Sequence, residues 1–295
     1  MTTSRIALVT GANQGLGRAL VEGLAARMGP DDLVLLTGRS PERVLDAARE
    51  VAQLPDTRSR VEGRVLDVAD PEAITHFADE LRARHGGVDI VISNAVARLL
   101  PEDSQSARAD EVIDVSNTAT HAILRSFGPI LRPAGRLLVV ASSLGTLGHL
   151  DPCLHHLFDG ANLEQVEYAV ESWRSAIHHK TAEEAGWPRW LNVPSKVAQV
   201  AAVRAVAAER REHDLASGTL IASVCPGMVD TATSRPWFSD FSGAQPPAEA
   251  ARAVLDLVFA DGVDPALYGE LVRFGKSVPW HYGTPLTEQD AMITP

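Results

Sequence analysis

Short runs of apolar residues alternate with longer stretches of helical periodicity along almost the whole chain. Ile6–Thr10, Leu33–Thr37, Val61–Leu66, Val88–Ser93, Leu137–Ser142 and Leu220–Val224 are β-branched or leucine-rich runs of strand length, and a last one is expected near Tyr268–Phe274. Helical patterning fills Leu16–Met28, Pro41–Gln53, Pro71–His85, Ala107–Leu131 and Val193–Glu212, with Pro41 suited to a first turn. Apolar strands that alternate with helices predict an α/β architecture: a parallel sheet of about seven strands, covered on both faces. Residues 1–295 read as a single domain without repeats or low-complexity segments. One stretch breaks the rhythm. Some forty residues, 149–191, separate the fifth strand from the next long helix, with helical patterning at Asn162–His178. A segment of this length inside a domain is usually functional, and a helical lid over the C-terminal edge of the sheet is predicted.

Bulk properties narrow the partners. The 295-residue chain is 45% hydrophobic and 22% charged, with a net charge of −11. That balance argues against nucleic acid and anionic membrane surfaces, although a local basic pocket for one phosphate remains open. Cys153 and Cys225 lack Cys-x-x-Cys spacing, which fits a reducing compartment. The apolar run after Met1–Arg5 is too short for a signal peptide, and nothing approaches the ~20 apolar residues of a membrane span. The expectation is a soluble, cytoplasmic protein.

The chemistry begins at Thr10-Gly11-Ala12-Asn13-Gln14-Gly15-Leu16-Gly17, which follows a strand and opens a helix. Glycines there permit a tight turn and close approach of a pyrophosphate, and the helix N-terminus supplies oriented N–H groups. A merely tight strand–helix turn is the bland alternative. The second strand ends in Thr37-Gly38-Arg39-Ser40, with Arg43 a turn later. Cations without an acidic residue favour a 2′-phosphate, hence NADPH over NADH.

This loop, together with Lys196 far downstream on an Ala/Val-rich helix, resembles the short-chain dehydrogenase/reductase superfamily. The resemblance is closest to its carbonyl-reductase-like members, through Gly186-Trp187-Pro188 before the catalytic helix and an insertion of this kind. It implies a Rossmann-like doubly wound fold, and it covers residues 5 to about 240. Several segments take family roles by this resemblance. Gly11, Asn13, Gln14, Gly15, Leu16 and Gly17 form the cofactor loop, with Asn13 helping to hold the phosphate. Leu66, Asp67 and Val68 lie at the adenine. Asn94 and Ala95 stand in a Ser93-Asn94-Ala95-Val96 version of the Asn-Asn-Ala-Gly motif. Pro226, Gly227, Val229 and Thr231 lie at the nicotinamide, where the Thr holds the carboxamide. Such members are typically monomers, because the insertion covers the helix face through which others assemble.

The catalytic set is altered. Family members use Asn, Ser, Tyr and Lys. Ser142 matches the serine that bonds the substrate carbonyl, and Lys196 the lysine that holds the ribose. Asn192 stands where the tyrosine is expected. Asn192 and Lys196 share a helix face, four residues apart. Ser116 aligns with the family's Asn and is taken as its counterpart; only a local helix distortion, which is not expected, would bring in its neighbour Asn117.

An amide cannot protonate an alkoxide, but its N–H can polarise a carbonyl. The remaining proton sources are a water ordered by Ser142 and Asn192, an acidic group on the substrate, or a histidine acting as surrogate acid. A ketone flanked by a phenol carries its own donor, which makes an aromatic polyketide an attractive substrate. The competing expectation is a non-catalytic NADP(H) sensor or scaffold.

Trp173, Trp187 and Trp190 fall in the insertion and Trp237 after the sixth strand. Trp187 reads as a packing residue; for Trp190 and Trp237, packing and substrate contact stand equal. His149, His155, His156, His178 and His179 show no metal-ligand spacing, so no metal is expected.

Overall fold

In the computed structural model, which describes residues 4–237 and 240–285, one eight-stranded sheet organises the chain. The strands are β1 (Ile6–Val9), β2 (Leu33–Gly38), β3 (Arg60–Val65), β4 (Val88–Ser93), β5 (Leu131–Val140), β6 (Leu220–Cys225), β7 (Leu271–Arg273) and β8 (Lys276–Val278), in the order β3-β2-β1-β4-β5-β6-β7-β8. All pairs are parallel except β7–β8. The helices are α1 (Gly15–Arg27), α2 (Pro41–Ala52), α3 (Pro71–His85), α4 (Ala109–Val112), α5 (Ala119–Phe127), α6 (Leu163–His178), α7 (Asn192–Ala216) and α8 (Pro247–Val258).

Burial explains the strand patterns. β1, β2 and β6 are buried at every position, so they read as unbroken apolar runs. β3 closes one edge and has no fully buried residue, which matches its mixed sequence Arg-Val-Glu-Gly-Arg-Val. Register aligns Val9 with Leu36 and Ile92, Ser93 with Val139, and Val140 with Val224. The chain therefore leaves β1, β4, β5 and β6 along one edge. The strand order reverses between β1 and β4, and such a reversal is where open α/β sheets bind ligands.

Several expectations need correction. The helix expected over Ala107–Leu131 is broken. A π-helical turn, Ile113–Thr118, separates α4 from α5, and Gly128-Pro129 ends the helix because proline lacks the N–H that would continue it. β5 starts at Leu131 rather than 137, with an irregular register against β4 between Val88 and Ile90. The strand near Tyr268–Phe274 contracts to Leu271–Arg273. It pairs with an unexpected antiparallel edge strand, β8, and α8 was likewise not foreseen.

The insertion contains α6, whose Asn162 and Gln165 form a reciprocal capping box. It packs on the helix layer, against α4, the π-turn and α7. Val166, Val170, Trp173 and Ile177 supply the buried stripe. Around it Arg125 bonds Glu167 (2.8 Å) and Arg174 bonds Asp114 (2.7 Å). The first pair is solvated and worth little by itself, whereas Arg174 is mostly covered. The helix of the insertion thus rests on neighbouring helices and not, as expected, over the edge of the sheet; the exit of the insertion, Gly186–Leu191, leads into α7. Trp173 is 1% exposed and stacks at 5.9 Å on Trp187, which also meets Phe158 edge-on. That packing agrees with the expected role of Trp187. None of the helices among the described residues is long and apolar enough to cross a membrane.

Trp173→Ala is expected to destabilise the protein by about 3–5 kcal/mol in urea denaturation, as large aromatic truncations in cores do. Trp173→Phe should cost much less, because the indole N–H has no buried partner among the described residues. A cost near zero for the alanine variant would show that α6 is not docked this way.

Candidate active site

Backbone conformation shapes the first loop. Gly11 has φ +61°, and a Cβ there would lie 2.8 Å from Ala95 Cα; one on Gly17 would lie 2.5 Å from Asn94 Nδ2 and the Gly11 carbonyl. The close approach is fastened from β4. Asn94 donates its side-chain amide to the carbonyls of Thr10 (3.0 Å) and Gly11 (3.2 Å), and the Thr10 hydroxyl accepts the N–H groups of Asn94 and Ala95. Asn94 therefore acts by holding the loop. At the α1 N-terminus Gln14 makes no side-chain cap, since its Oε1 accepts from Arg43 instead. The first-turn amides of α1 have no capping side chain, which suits a pyrophosphate.

The rim beyond β2 is basic. Asn13 Oδ1 approaches Gly38, and Arg39 is well exposed, with a 3.8 Å contact to Glu111 as its one ion pair among the described residues. Glu111 is itself held by Arg108 (2.5 Å). Leu66 and Val68 are buried and Asp67 is exposed, its carboxylate accepting the Ala69 N–H. On the opposite side Gly227 (φ +82°) turns the chain after β6, and Val229 bridges to Gln245. Thr231 shares a 3.1 Å hydrogen bond with Ser234 and brings its methyl group toward Gly15, 3.5 Å from where a Cβ would stand. The glycine loop and the Pro226–Thr231 segment thus face each other across the crevice.

The catalytic candidates converge on the start of α7. Ser142 follows β5, and its hydroxyl accepts the Leu144 N–H (3.3 Å). Its turn packs directly on α7, since a Cβ at Gly145 would be 2.9 Å from the Lys196 carbonyl. Asn192 opens α7, half-buried, with no side-chain hydrogen bond among the described residues. Lys196 is 8% exposed, and its ammonium donates to the Val140 carbonyl (3.3 Å) and to Gln199 Oε1 (2.7 Å). Burial pulls its pKa down to about 8, against a smaller opposing pull from the Cys225 thiol.

The π-turn presents Ser116 and Asn117 to α7 in different ways. Asn117 is fully buried and donates to the Ser195 carbonyl (2.9 Å), beside Lys196. Ser116 reaches the site through its backbone: its carbonyl accepts from Gln199 (3.0 Å) and from Thr120 (2.5 Å). Of the two neighbours, it is thus the Asn117 side chain, and not that of Ser116, that bonds α7 beside Lys196. Sequence reading missed Gln199. Its signal was a polar residue in an otherwise Ala/Val run, one turn beyond Lys196.

Trp190 and Trp237 stack at 5.9 Å, both half-buried, and Trp237 donates to the Leu99 carbonyl (3.0 Å). They join the exit of the insertion to the segments after β4 and β6. The histidines are dispersed: His149 bonds Thr146, His155 the Leu150 carbonyl, and His178 Asp110. No cluster of three potential metal ligands occurs among the described residues.

This geometry has known counterparts. A family model described as short chain dehydrogenase matches residues 5–151. The mouse protein named carbonyl reductase [NADPH] 3 is 30% identical over 283 residues, covering 92% of this chain and 96% of its own. The chain belongs to the short-chain dehydrogenase family, on its carbonyl-reductase-like branch. Among solved structures, salutaridine reductase from Papaver somniferum superposes with a TM-score of 0.75 at 20% identity, covering 90% of this chain and 99% of its own. An NADPH-bound carbonyl reductase from chicken fatty liver gives 0.66 at 20% identity, covering 95% and 100%. Both likenesses concern the fold.

Arg39→Ala is expected to raise the Kd for NADPH by about 10–100-fold, the value of one lost charge-assisted contact, while leaving the Kd for NADH within about twofold. Titration of cofactor fluorescence measures both. Equal losses for the two nucleotides would place Arg39 away from the 2′-phosphate.

Proposed function

We propose that the protein is an NADPH-dependent ketoreductase that reduces a ketone of a bulky aromatic polyketide, of angucyclinone type, without a catalytic tyrosine. The observation that carries the reading is Asn192 at the head of α7, one turn before a buried Lys196 and beside an intact dinucleotide cradle. The relatives' names support a carbonyl substrate and NADPH. Ser142, Asn192, Lys196 and the 149–191 insertion together resemble the tyrosine-less ketoreductase of simocyclinone biosynthesis, which acts on an angucyclinone.

The cradle fits the nucleotide. Gly11 and Gly17 leave no room for a Cβ, the α1 N-terminus lacks a capping side chain, and Asn13, Arg39 and Arg43 surround the end of β2. Lys196 would hold the ribose, Leu66, Asp67 and Val68 the adenine, and Thr231 the carboxamide. Bound NADPH supplies the hydride, expected from its B face as the family resemblance implies.

The chain's own residues do the rest. The Ser142 hydroxyl and the Asn192 side-chain N–H donate to the ketone oxygen and stabilise the charge that develops there. Neither gives up a proton easily, so the alkoxide takes its proton from a phenol of the substrate. Trp190 and Trp237 supply a flat aromatic wall at the exit of the insertion. α6 lies over α4 and α7, which supports the reading of a monomer, since family members of this kind have the assembly face covered by the insertion; the protein is read as cytoplasmic.

If the substrate supplies the proton, a tyrosine at 192 is redundant and its ring intrudes. Asn192→Tyr is expected to leave kcat equal or lower, and Asn192→Ala to cost less than the ~10²–10⁴ of losing a general acid. Lys196→Ala should raise the KM for NADPH. Steady-state kinetics with an angucyclinone ketone reads all three. A large gain in Asn192→Tyr would leave plain decay of the catalytic set as the better account. NADPH binding without any turnover would favour a dinucleotide sensor.

A further inference from the structure

Gln199 sits three residues after Lys196 on α7 and is 2% exposed. Its Oε1 accepts from the Lys196 ammonium (2.7 Å), while its Nε2 donates to the Ser116 carbonyl and to the Thr120 hydroxyl oxygen, both at 3.0 Å. Thr120 spends its one hydroxyl proton on the same Ser116 carbonyl. Toward Gln199 its oxygen can therefore only accept, so that end of the amide is the nitrogen and the end facing Lys196 is the oxygen. The side chain has a single satisfied orientation. Of the three ammonium protons, one goes to Gln199 and one to the Val140 carbonyl, which leaves one for a ligand in the crevice.

We infer that Gln199 is a positioning residue for the dinucleotide: it ties the Lys196 ammonium to the π-turn and so aims its remaining N–H at the cofactor ribose. This rests on the reading of Lys196 as the ribose contact, not on the identity of the ketone. The surroundings make the tie matter. Asn117 and Ser116 from the π-turn, Thr120 from α5, Val140 from β5 and the Ser143–Gly145 turn all present neutral groups. The Cys225 thiol at the end of β6 is the one titratable side chain whose charge acts on Lys196 among the described residues. With no carboxylate to stabilise the ammonium, a neutral carbonyl oxygen at 2.7 Å is its strongest partner.

The sign of the pH effect follows. The ammonium is a stronger donor than the amine, so its contribution to binding is complete below the pKa of the free protein, about 8. It fades as pH rises through the higher pKa that a bound anionic dinucleotide imposes. Removing the Gln199 oxygen lowers the Lys196 pKa and moves this alkaline loss to lower pH; a carboxylate at 199 moves it to higher pH.

The test is NADPH binding, followed by fluorescence across this pH range, for the unaltered protein and for Gln199→Met, Gln199→Glu, Lys196→Met and the double variant Gln199→Met/Lys196→Met. The expected results are a Kd about 10-fold higher for Gln199→Met at neutral pH and an alkaline loss displaced by roughly one pH unit, downward in Gln199→Met and upward in Gln199→Glu. In the Lys196→Met background the Gln199→Met change should add less than about twofold. Limbs that move in neither variant, or a Gln199→Met penalty undiminished without Lys196, overturn the proposal and make Gln199 a packing residue. If Gln199→Met does not fold, Gln199→Glu decides alone: an unmoved limb overturns it. Failure of the unaltered protein to bind NADPH would overturn the cofactor reading itself, which is a distinct result.

Discussion

A single ammonium group, that of Lys196, is buried at the C-terminal edge of the sheet without a carboxylate beside it among the described residues. Burying a charge is costly unless polar groups replace its water. The elements that meet here supply those groups. β5 ends so that the Val140 carbonyl points to the amine, and α7 places Gln199 beside it. The π-turn between α4 and α5 turns the Ser116 carbonyl and Thr120 toward Gln199, while Asn117 fastens the same turn to α7. The break in that helix is thus the means by which two layers satisfy one buried cation.

What this arrangement leaves out is as informative as what it holds. The position one helical turn before Lys196 carries an amide, so the lysine has no adjacent phenol whose ionisation it could favour. On the function proposed above, its remaining work is to hold the nucleotide. The rest of the crevice is suited to the same end, with a glycine loop fastened by Asn94, a basic rim at Arg39 and Arg43, and the Pro226–Thr231 segment facing it. A reductase can dispense with its own acid where a substrate carries one, because the hydride belongs to the cofactor and the enzyme must chiefly align it.

Much of the fold is legible in the chain itself. The fully buried strands announce themselves as unbroken apolar runs, and α3 matches its expected bounds because Asp70 caps its start and Gly86, at φ +76°, ends it. The glycine loop, Ser142, Asn192 and Lys196 stand in local motifs and fall together because parallel register aligns the strand ends. Features that depend on tertiary contact are not legible. The π-turn has no local signature: it exists because Asn117 and Ser116 bond to α7, some eighty residues away in sequence. Gln199 stands out only as a polar residue in an Ala/Val run, and such a residue does not declare its partner. β8 is only three residues long and pairs antiparallel to its neighbour, too short for periodicity to register.

The central claim is that the proton comes from the substrate and from no side chain at 192. The most direct measurement compares kcat for an angucyclinone-type ketone bearing a free neighbouring phenol with kcat for its O-methyl ether, using the unaltered protein and saturating NADPH. The account predicts that methylation lowers kcat by ~10²–10⁴, the usual worth of a positioned acid, with binding of the flat ring system largely retained. Equal turnover of the two ketones would contradict it and place the proton donor in the protein or its ordered water.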